Sequence, residues 1–369
     1  MSMQICQSNS SIHKSRRILF LLFLLLHLPG CFSSMQAKSP VFFPPAPDAP
    51  HIQYLTSISN IKDIKSSWFA DEPTMDETIA KPYGITVKGS KIYVTDVPFG
   101  RITTIDLEEK TFRQLNSELL KFPINISFDE EGNAFVADSG NMQVIRFRDT
   151  SPTGTFSIGK IKPTDMAIRG DELYVVDYQN SEIKVFGVKS GQLLRVIGRD
   201  PQLGETLSLP TNMALDKEGN IYVTNLGTCR VIKMDRSGKV LKAFGELGDR
   251  PGQFTRPKGI AVDDAGLIYV VDAGSQVVQL FNPEGQLLMF FGERGSKAGT
   301  LSIPADITIT RDNLDYFRTF ADPSFQVEQL ILVTNQSGPR KISIYGFGHA
   351  KETVKGPETA KNQVTPPIR

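Results

Sequence analysis

A unit that opens Pro-x-(Gly/Asp/Asn)-(Ile/Met) recurs from Pro82, Pro123, Pro163, Pro210, Pro257 and Pro304, in steps of 41, 40, 47, 47 and 47 residues. A period of that size restricts a chain to repeat architectures, because one such unit cannot bury its apolar face alone and must stack on its neighbours. Each Pro leads into an alternating run, such as Ile85-Thr86-Val87 or Ile260-Ala261-Val262, and then a turn rich in Gly, Asn and Asp. A second run follows at 92–96 (Ile-Tyr-Val-Thr-Asp), 134–138 (Ala-Phe-Val-Ala-Asp), 173–177 (Leu-Tyr-Val-Val-Asp), 221–225 (Ile-Tyr-Val-Thr-Asn), 268–272 (Ile-Tyr-Val-Val-Asp) and 331–335 (Ile-Leu-Val-Thr-Asn). Apolar and β-branched residues at period two, bounded by turn formers, are the signature of paired strands. Third and fourth runs are evident at 230–234 and 239–245, and again at 277–281 and 286–292. Four strands per unit, repeated radially, leave few exposed sheet edges. The sequence therefore predicts an all-β, six-bladed β-propeller of four-stranded blades.

The sixth unit lacks a fourth strand, whereas residues 51–58 (His-Ile-Gln-Tyr-Leu-Thr-Ser-Ile) form a strand-like run outside any unit. This N-terminal strand is expected to join the last blade and close the ring, which places the propeller at 51–350. Two insertions interrupt the pattern. One, at 61–81, carries Trp68 and Phe69; the other, at 311–328, places Leu314, Phe317 and Phe320 at helical spacing before Pro323. The second is expected to form a short amphipathic turn packed on the underside of the propeller. Residues 351–369 have the composition of a disordered tail.

Lys14, Arg16 and Arg17 precede an apolar run at 18–28, broken by His27 alone, and then Pro29, Gly30 and Cys31. A basic stretch, a short apolar stretch and a small residue before a cleavage point describe an export signal at 1–30. Eleven residues span about 16 Å as a helix, half the hydrocarbon thickness of about 30 Å. Leu28, Gly30 and Cys31 resemble the bacterial lipobox, although Pro29 stands where Ala, Ser or Thr is usual. The resemblance implies lipidation of Cys31, with a Pro- and Ser-rich spacer over 31–50. Several acyl chains hold a protein to a membrane where one holds only marginally. Phe32, rather than Asp, after the lipidated Cys favours an outer membrane where the cell has one.

Beyond the leader the chain has 38 basic against 40 acidic residues, which gives no electrostatic hold on nucleic acid. Cys229 is the single cysteine after Cys31, so the domain holds no internal disulfide and must rest on its core. Arg230 beside Cys229 could lower the thiol pKa, against the plainer reading of a half-buried small residue at a loop end.

The segment Phe244-Gly245, Gly248, Gly252-Gln253-Phe254, 257–263 (Pro-Lys-Gly-Ile-Ala-Val-Asp) and 268–272 resembles the NHL repeat, and weaker matches extend over about 51–347. The resemblance implies the six-bladed propeller and leaves function open, since one propeller hosts many chemistries. Reactive groups in such folds gather where the inner strands begin. The second residue after each anchoring Pro gives a ring of Gly84, Asn125, Asp165, Asn212, Gly259 and Asp306. Asn125, Asp165, Asn212 and Asp306 are candidate channel-mouth polar groups, and their oxygens could hold a hard cation such as calcium. Asp and Asn are equally at home there as partners of their own turn backbone.

Hydrolases and lyases occur on similar folds, but the gluconolactonase pattern wants Asn or Asp directly after the Pro. Here those positions are Tyr83, Ile124, Thr164, Thr211, Lys258 and Ala305. Zinc-dependent lyases need histidines, and the propeller segment has only His51 and His349, at its closing edge. Loops after the second strands supply a candidate binding rim of Phe99, Arg101, Asn141, Tyr178, Arg230 and Arg340, a mixture of aromatic and Arg side chains suited to protein docking. The expectation is a membrane-tethered, extracytoplasmic protein-binding or scaffold module of a bacterial cell envelope, with no cofactor and no nucleic-acid partner. The alternatives are a cation-dependent hydrolase or lyase, and binding of a small ligand in the channel.

Overall fold

A computed structural model describes residues 39–65, 72–116, 118–148, 151–156, 159 and 161–351. The expected leader, Cys31, Trp68, Phe69 and the tail from 352 lie outside the described residues. Six antiparallel sheets follow one another along the chain, and the innermost strand of each starts at an anchoring proline: Pro82–Lys88, Pro123–Phe128, Pro163–Arg169, Pro210–Leu215, Pro257–Val262 and Pro304–Thr310. The first five blades have four strands each. Alternation along the second and third strands buries residues on both faces, so neighbouring blades share apolar layers; Tyr174, Val176 and Ile183 of the third blade pack with Ile221, Val223 and Ile232 of the fourth.

The last blade closes the ring as the sequence predicts. Ile52–Ile58 pairs antiparallel with Ile342–Ala350, from Ile52 opposite Phe347 to Ile58 opposite Ile342. The blade then gains a fifth strand that the sequence reading placed in the spacer. Val41–Phe43 pairs with 52–54, Phe42 packs on Phe325, and Phe43 packs on Phe291 and Tyr345. The composition of Pro44, Pro45, Pro47 and Pro50 suits an extended linker, but they occupy the connection between two paired strands, where a fixed φ is equally useful.

The insertion at 311–328 is shorter than its sequence pattern implied, because the strand after it starts early, at Phe325–Asn335, and pairs as far out as Phe325 opposite Ala350. Its helix, Leu314–Arg318, buries Phe317 among Ile61, Ile64 and Leu107. Asp312 and Asn313 bracket the first blade's turn: the Gly89 amide donates to Asp312 Oδ2 at 2.8 Å and Asn313 Nδ2 donates to the Gly89 carbonyl at 2.8 Å. Arg311 pairs with Asp264 of the fifth blade. The segment thus ties three blades together on the face away from the anchoring prolines.

Candidate functional site: the channel mouth

Two rings of Asp and Asn surround the mouth at which the inner strands begin. The outer ring consists of the residues ending the second strands, Asp96, Asp138, Asp177, Asn225, Asp272 and Asn335, all fully or almost fully buried. Their oxygens accept backbone N–H groups from the residues just before the anchoring prolines. Asp138 takes Lys121 N at 2.7 Å and Phe122 N at 2.9 Å, Asp272 takes Thr255 N at 2.9 Å and Arg256 N at 2.8 Å, and Asn335 takes Ser302 N at 2.9 Å. The conspicuous Asp of the repeat is therefore a clamp on the incoming loop.

The inner ring arises from a register shift in each blade immediately after the proline, for example between Pro163 and Asp165 and between Pro304 and Ile307. Such a bulge re-aims one side chain, here the second residue after Pro, and sends it across to the neighbouring blade. Asp165 Oδ2 accepts from Met213 N at 2.8 Å and Asp306 Oδ2 accepts from Ile85 N at 3.2 Å, each in the next blade. Asn212 Nδ2 donates to Asp306 Oδ1 at 3.4 Å, while Asn212 Oδ1 is buried without a partner. Asn125 is buried beside Ser127, whose hydroxyl lies 3.5 Å from Asn125 Oδ1. Gly84 and Gly259 complete the ring because nothing larger fits: a Cβ on Gly84 would lie 2.4 Å from the Ile124 carbonyl oxygen, and one on Gly259 would lie 2.6 Å from the Asp306 Cα.

Burial raises Asp165 well above the ordinary Asp value, with repulsion from Asp306 second, and burial pushes Asp306 up to about 7. Enclosing two acids together favours their protonated forms over the ordinary behaviour of Asp. A calcium ion would find two acids whose oxygens already accept backbone N–H groups. Among the described residues no three His, Cys, Asp or Glu side chains converge.

Above this ring Tyr83 and Lys258 meet. Tyr83 packs with Ile124, Ala305 and Val97, and its hydroxyl accepts from Lys258 Nζ at 2.8 Å, with the ammonium also 4.6 Å from the ring centre. Burial raises the Tyr83 hydroxyl pKa, and burial followed by repulsion from Arg256 lowers Lys258 to about 8. A cavity of about 550 Å3 opens towards the other ends of the inner strands, among residues of the first four blades such as Thr86, Ser127, Met166 and Leu215.

The six rim residues chosen from sequence divide into two groups. Phe99 is 44% exposed and Tyr178 half-buried under Lys162, so both present aromatic surface. Arg101, in contrast, is 3% exposed and occupied by Asp96, Asp76 and the carbonyls of Met75 and Thr78. Asn141 donates to the Leu119 carbonyl and Asp138, Arg230 pairs with Glu205 at 2.8 Å, and Arg340 donates to the Ser296 carbonyl. Arg230 is thus not available to activate Cys229, whose thiol is buried and shifted upward by that burial. The sequence reading missed the residues immediately preceding the prolines, which the clamps present to solvent. Their signal was positional: Lys81, Phe122, Lys162, Leu209, Arg256 and Ile303 alternate cation and apolar group around the ring.

The six sheets define a six-bladed β-propeller. Solved structures similar to it include a gluconolactonase from Xanthomonas campestris (14% identity, TM-score 0.56, covering 84% of this chain and 94% of that one) and virginiamycin B lyase from Staphylococcus aureus (13% identity, TM-score 0.51, covering 79% and 98%). A Bacteroides thetaiotaomicron protein of unknown function is also similar (15% identity, TM-score 0.54, covering 79% and 75%). At these identities the likeness extends to the fold alone. No family model matches the sequence, and no curated protein matches it.

Proposed function

We propose that the chain is a non-catalytic binding module of a bacterial cell envelope, an NHL-type propeller held to a membrane through Cys31, with an outer membrane favoured, that docks a protein partner on its channel-mouth face. The observation that carries this reading is the mouth itself: Tyr83 is buried there against Ile124 and Ala305 of the neighbouring blades, and Phe99 (44%), Phe122 (44%), Leu209 (39%) and Ile303 (43%) are exposed around it. A mouth with Tyr83 packed in it and exposed apolar side chains alternating with cations around it suits a protein surface better than a substrate pocket. Crosslinked capture by the full chain, compared with Phe99→Asp and Phe122→Asp, tests it; a partner captured equally by all three sinks the reading. Replacing Cys31 by Ser should move the protein from the membrane fraction to the soluble fraction.

A hydrolase or lyase working through a cation is the second reading, supported by the similar folds and by the unpartnered Asn212 Oδ1. Against it, a structure of the virginiamycin B lyase with quinupristin is of a variant made catalytically inactive by replacing a histidine with alanine. The described histidines here, His51 and His349, are both exposed in the closing blade, and His349 pairs with Glu328 at 3.1 Å. Elemental analysis and a calcium-dependent melting shift separate the two readings.

A further inference from the structure

The residue before each anchoring proline is fixed from behind. The backbone N–H groups of Lys81, Phe122, Lys162 and Arg256 donate to Asp96, Asp138, Asp177 and Asp272; that of Leu209 donates to Ser181 Oγ and that of Ile303 to Gln276 Oε1. All six side chains are exposed, so the loop geometry holds out three cations and three apolar groups in strict alternation, blade by blade. Two of the apolar ones are strained. Leu209 has φ +50° and Ile303 φ +51°, a left-handed backbone that costs an ordinary L-residue about 1–2 kcal/mol and is rarer still for a β-branched one. Strained, solvent-facing apolar side chains are a mark of a binding surface.

The charge at the mouth is also left over. None of the ion pairs among the described residues uses Lys81, Lys162, Arg256 or Lys258. Lys258 is half-buried, is repelled by Arg256 and Lys81, and has Asp306 beneath it as its attractive charge. Because Tyr83 Oη accepts from Lys258, its own hydrogen remains to be donated, so an ammonium and a hydroxyl stand side by side, 2.8 Å apart, as two donors.

Resting on the binding-module reading, we propose that the channel mouth is a receptor for a carboxylate borne on an apolar body, its two oxygens meeting Lys258 Nζ and Tyr83 Oη. Lys81, Lys162 and Arg256 attract the charge, and Phe122, Leu209 and Ile303 hold the apolar part. A carboxylate matches two adjacent donors, and charge-assisted bonds of this kind are the strong ones. An extended polyanion does not match, because its charge would run across the apolar members of the crown. The carboxylate can belong to a free organic acid or to an acidic side chain on a partner's loop.

Isothermal titration of the full chain at pH 7 tests this, with octanoate and the peptide acetyl-Leu-Glu-Phe-amide as probes, and octanol and the Gln analogue of the peptide as neutral controls. At least one acidic probe should bind tenfold or more tightly than its control, and Lys258→Met should abolish most of that difference while Lys258→Arg retains part of it. Preference for octanoate points to a free acid and preference for the peptide to a partner's side chain. Binding of both probes no tighter than their controls, or unchanged in Lys258→Met with an unaltered melting curve, overturns the proposal. If Phe122→Asp loses a captured partner that Lys258→Met keeps, the carboxylate inference falls while the binding face stands.

Discussion

The outer and inner rings at the channel mouth both bury Asp and Asn side chains, but they aim the oxygens at different partners. In the outer ring each carboxylate or amide oxygen meets backbone N–H groups of a loop in its own blade, and the donors come in sets: Asp272 accepts from the Thr255, Arg256, Gly274 and Ser275 amides and from the Thr255 hydroxyl. In the inner ring the oxygens reach across to the next blade and towards one another, and two acids share an enclosed space beneath Tyr83. A buried acid surrounded by backbone donors is a structural rivet. A buried acid facing another acid has its pKa raised.

The largest expected effect comes from breaking a rivet. Asp272→Ala strips a partner from four backbone amides, those of Thr255, Arg256, Gly274 and Ser275, while the Thr255 hydroxyl keeps Ser275 Oγ, and each buried donor left unmade costs about 1–3 kcal/mol. Some donors regain water at the surface, so a loss of about 3–5 kcal/mol is expected in urea unfolding. A loss below about 1 kcal/mol would mean that the loops before the prolines are held by something else.

The inner ring should respond with the opposite sign. Asp306 has a folded pKa near 7, above its unfolded value near 4, so the stability associated with its proton is complete below about pH 4 and is lost as pH rises through 7. Asp306→Asn removes that dependence and also gives Asn212 Oδ1 an amide to accept from after a flip. At pH 8 the variant should be more stable than the parent by about 2–3 kcal/mol, with little difference at pH 4. Equal stability at both pH values would show that the acid pair carries no proton.

Between these lies the hydroxyl that links the two rings to Tyr83. Thr334 Oγ1 donates to the Tyr83 carbonyl at 2.6 Å and accepts from Asp306 N at 3.0 Å. Thr334→Val keeps the shape and orphans both groups, an expected loss of about 1–2 kcal/mol by thermal melting.

The architecture was legible because period, alternation and turn residues all pointed to the same answer from Pro82 to Pro304. Closure by 52–58 followed from counting strands. The fifth strand at 41–43 did not, since three residues flanked by prolines carry no periodicity, and neither did the early start at Phe325, which the insertion's aromatic residues concealed. At the site, sequence identified the polar ring but not what each oxygen meets, because a bulge and a blade-to-blade contact are properties of the closed ring. Arg101, Asn141, Arg230 and Arg340 looked like a free rim because their internal partners are remote in sequence or lie in loops, such as Asp76 and Glu205.

The smallest effect separates stability from binding at the crown. Ile303 holds a left-handed backbone that glycine adopts freely, but glycine also loses more chain entropy on folding, so Ile303→Gly should gain only about 0.5–1 kcal/mol. The side chain is exposed, so little core packing is lost with it. If the strain serves docking, the same variant should bind the acidic probes two- to fivefold more weakly while unfolding at a slightly higher urea concentration. A variant that is more stable and binds equally well would remove Ile303 from the binding surface and leave its backbone as a consequence of the loop that the Asn335 clamp imposes on Ser302.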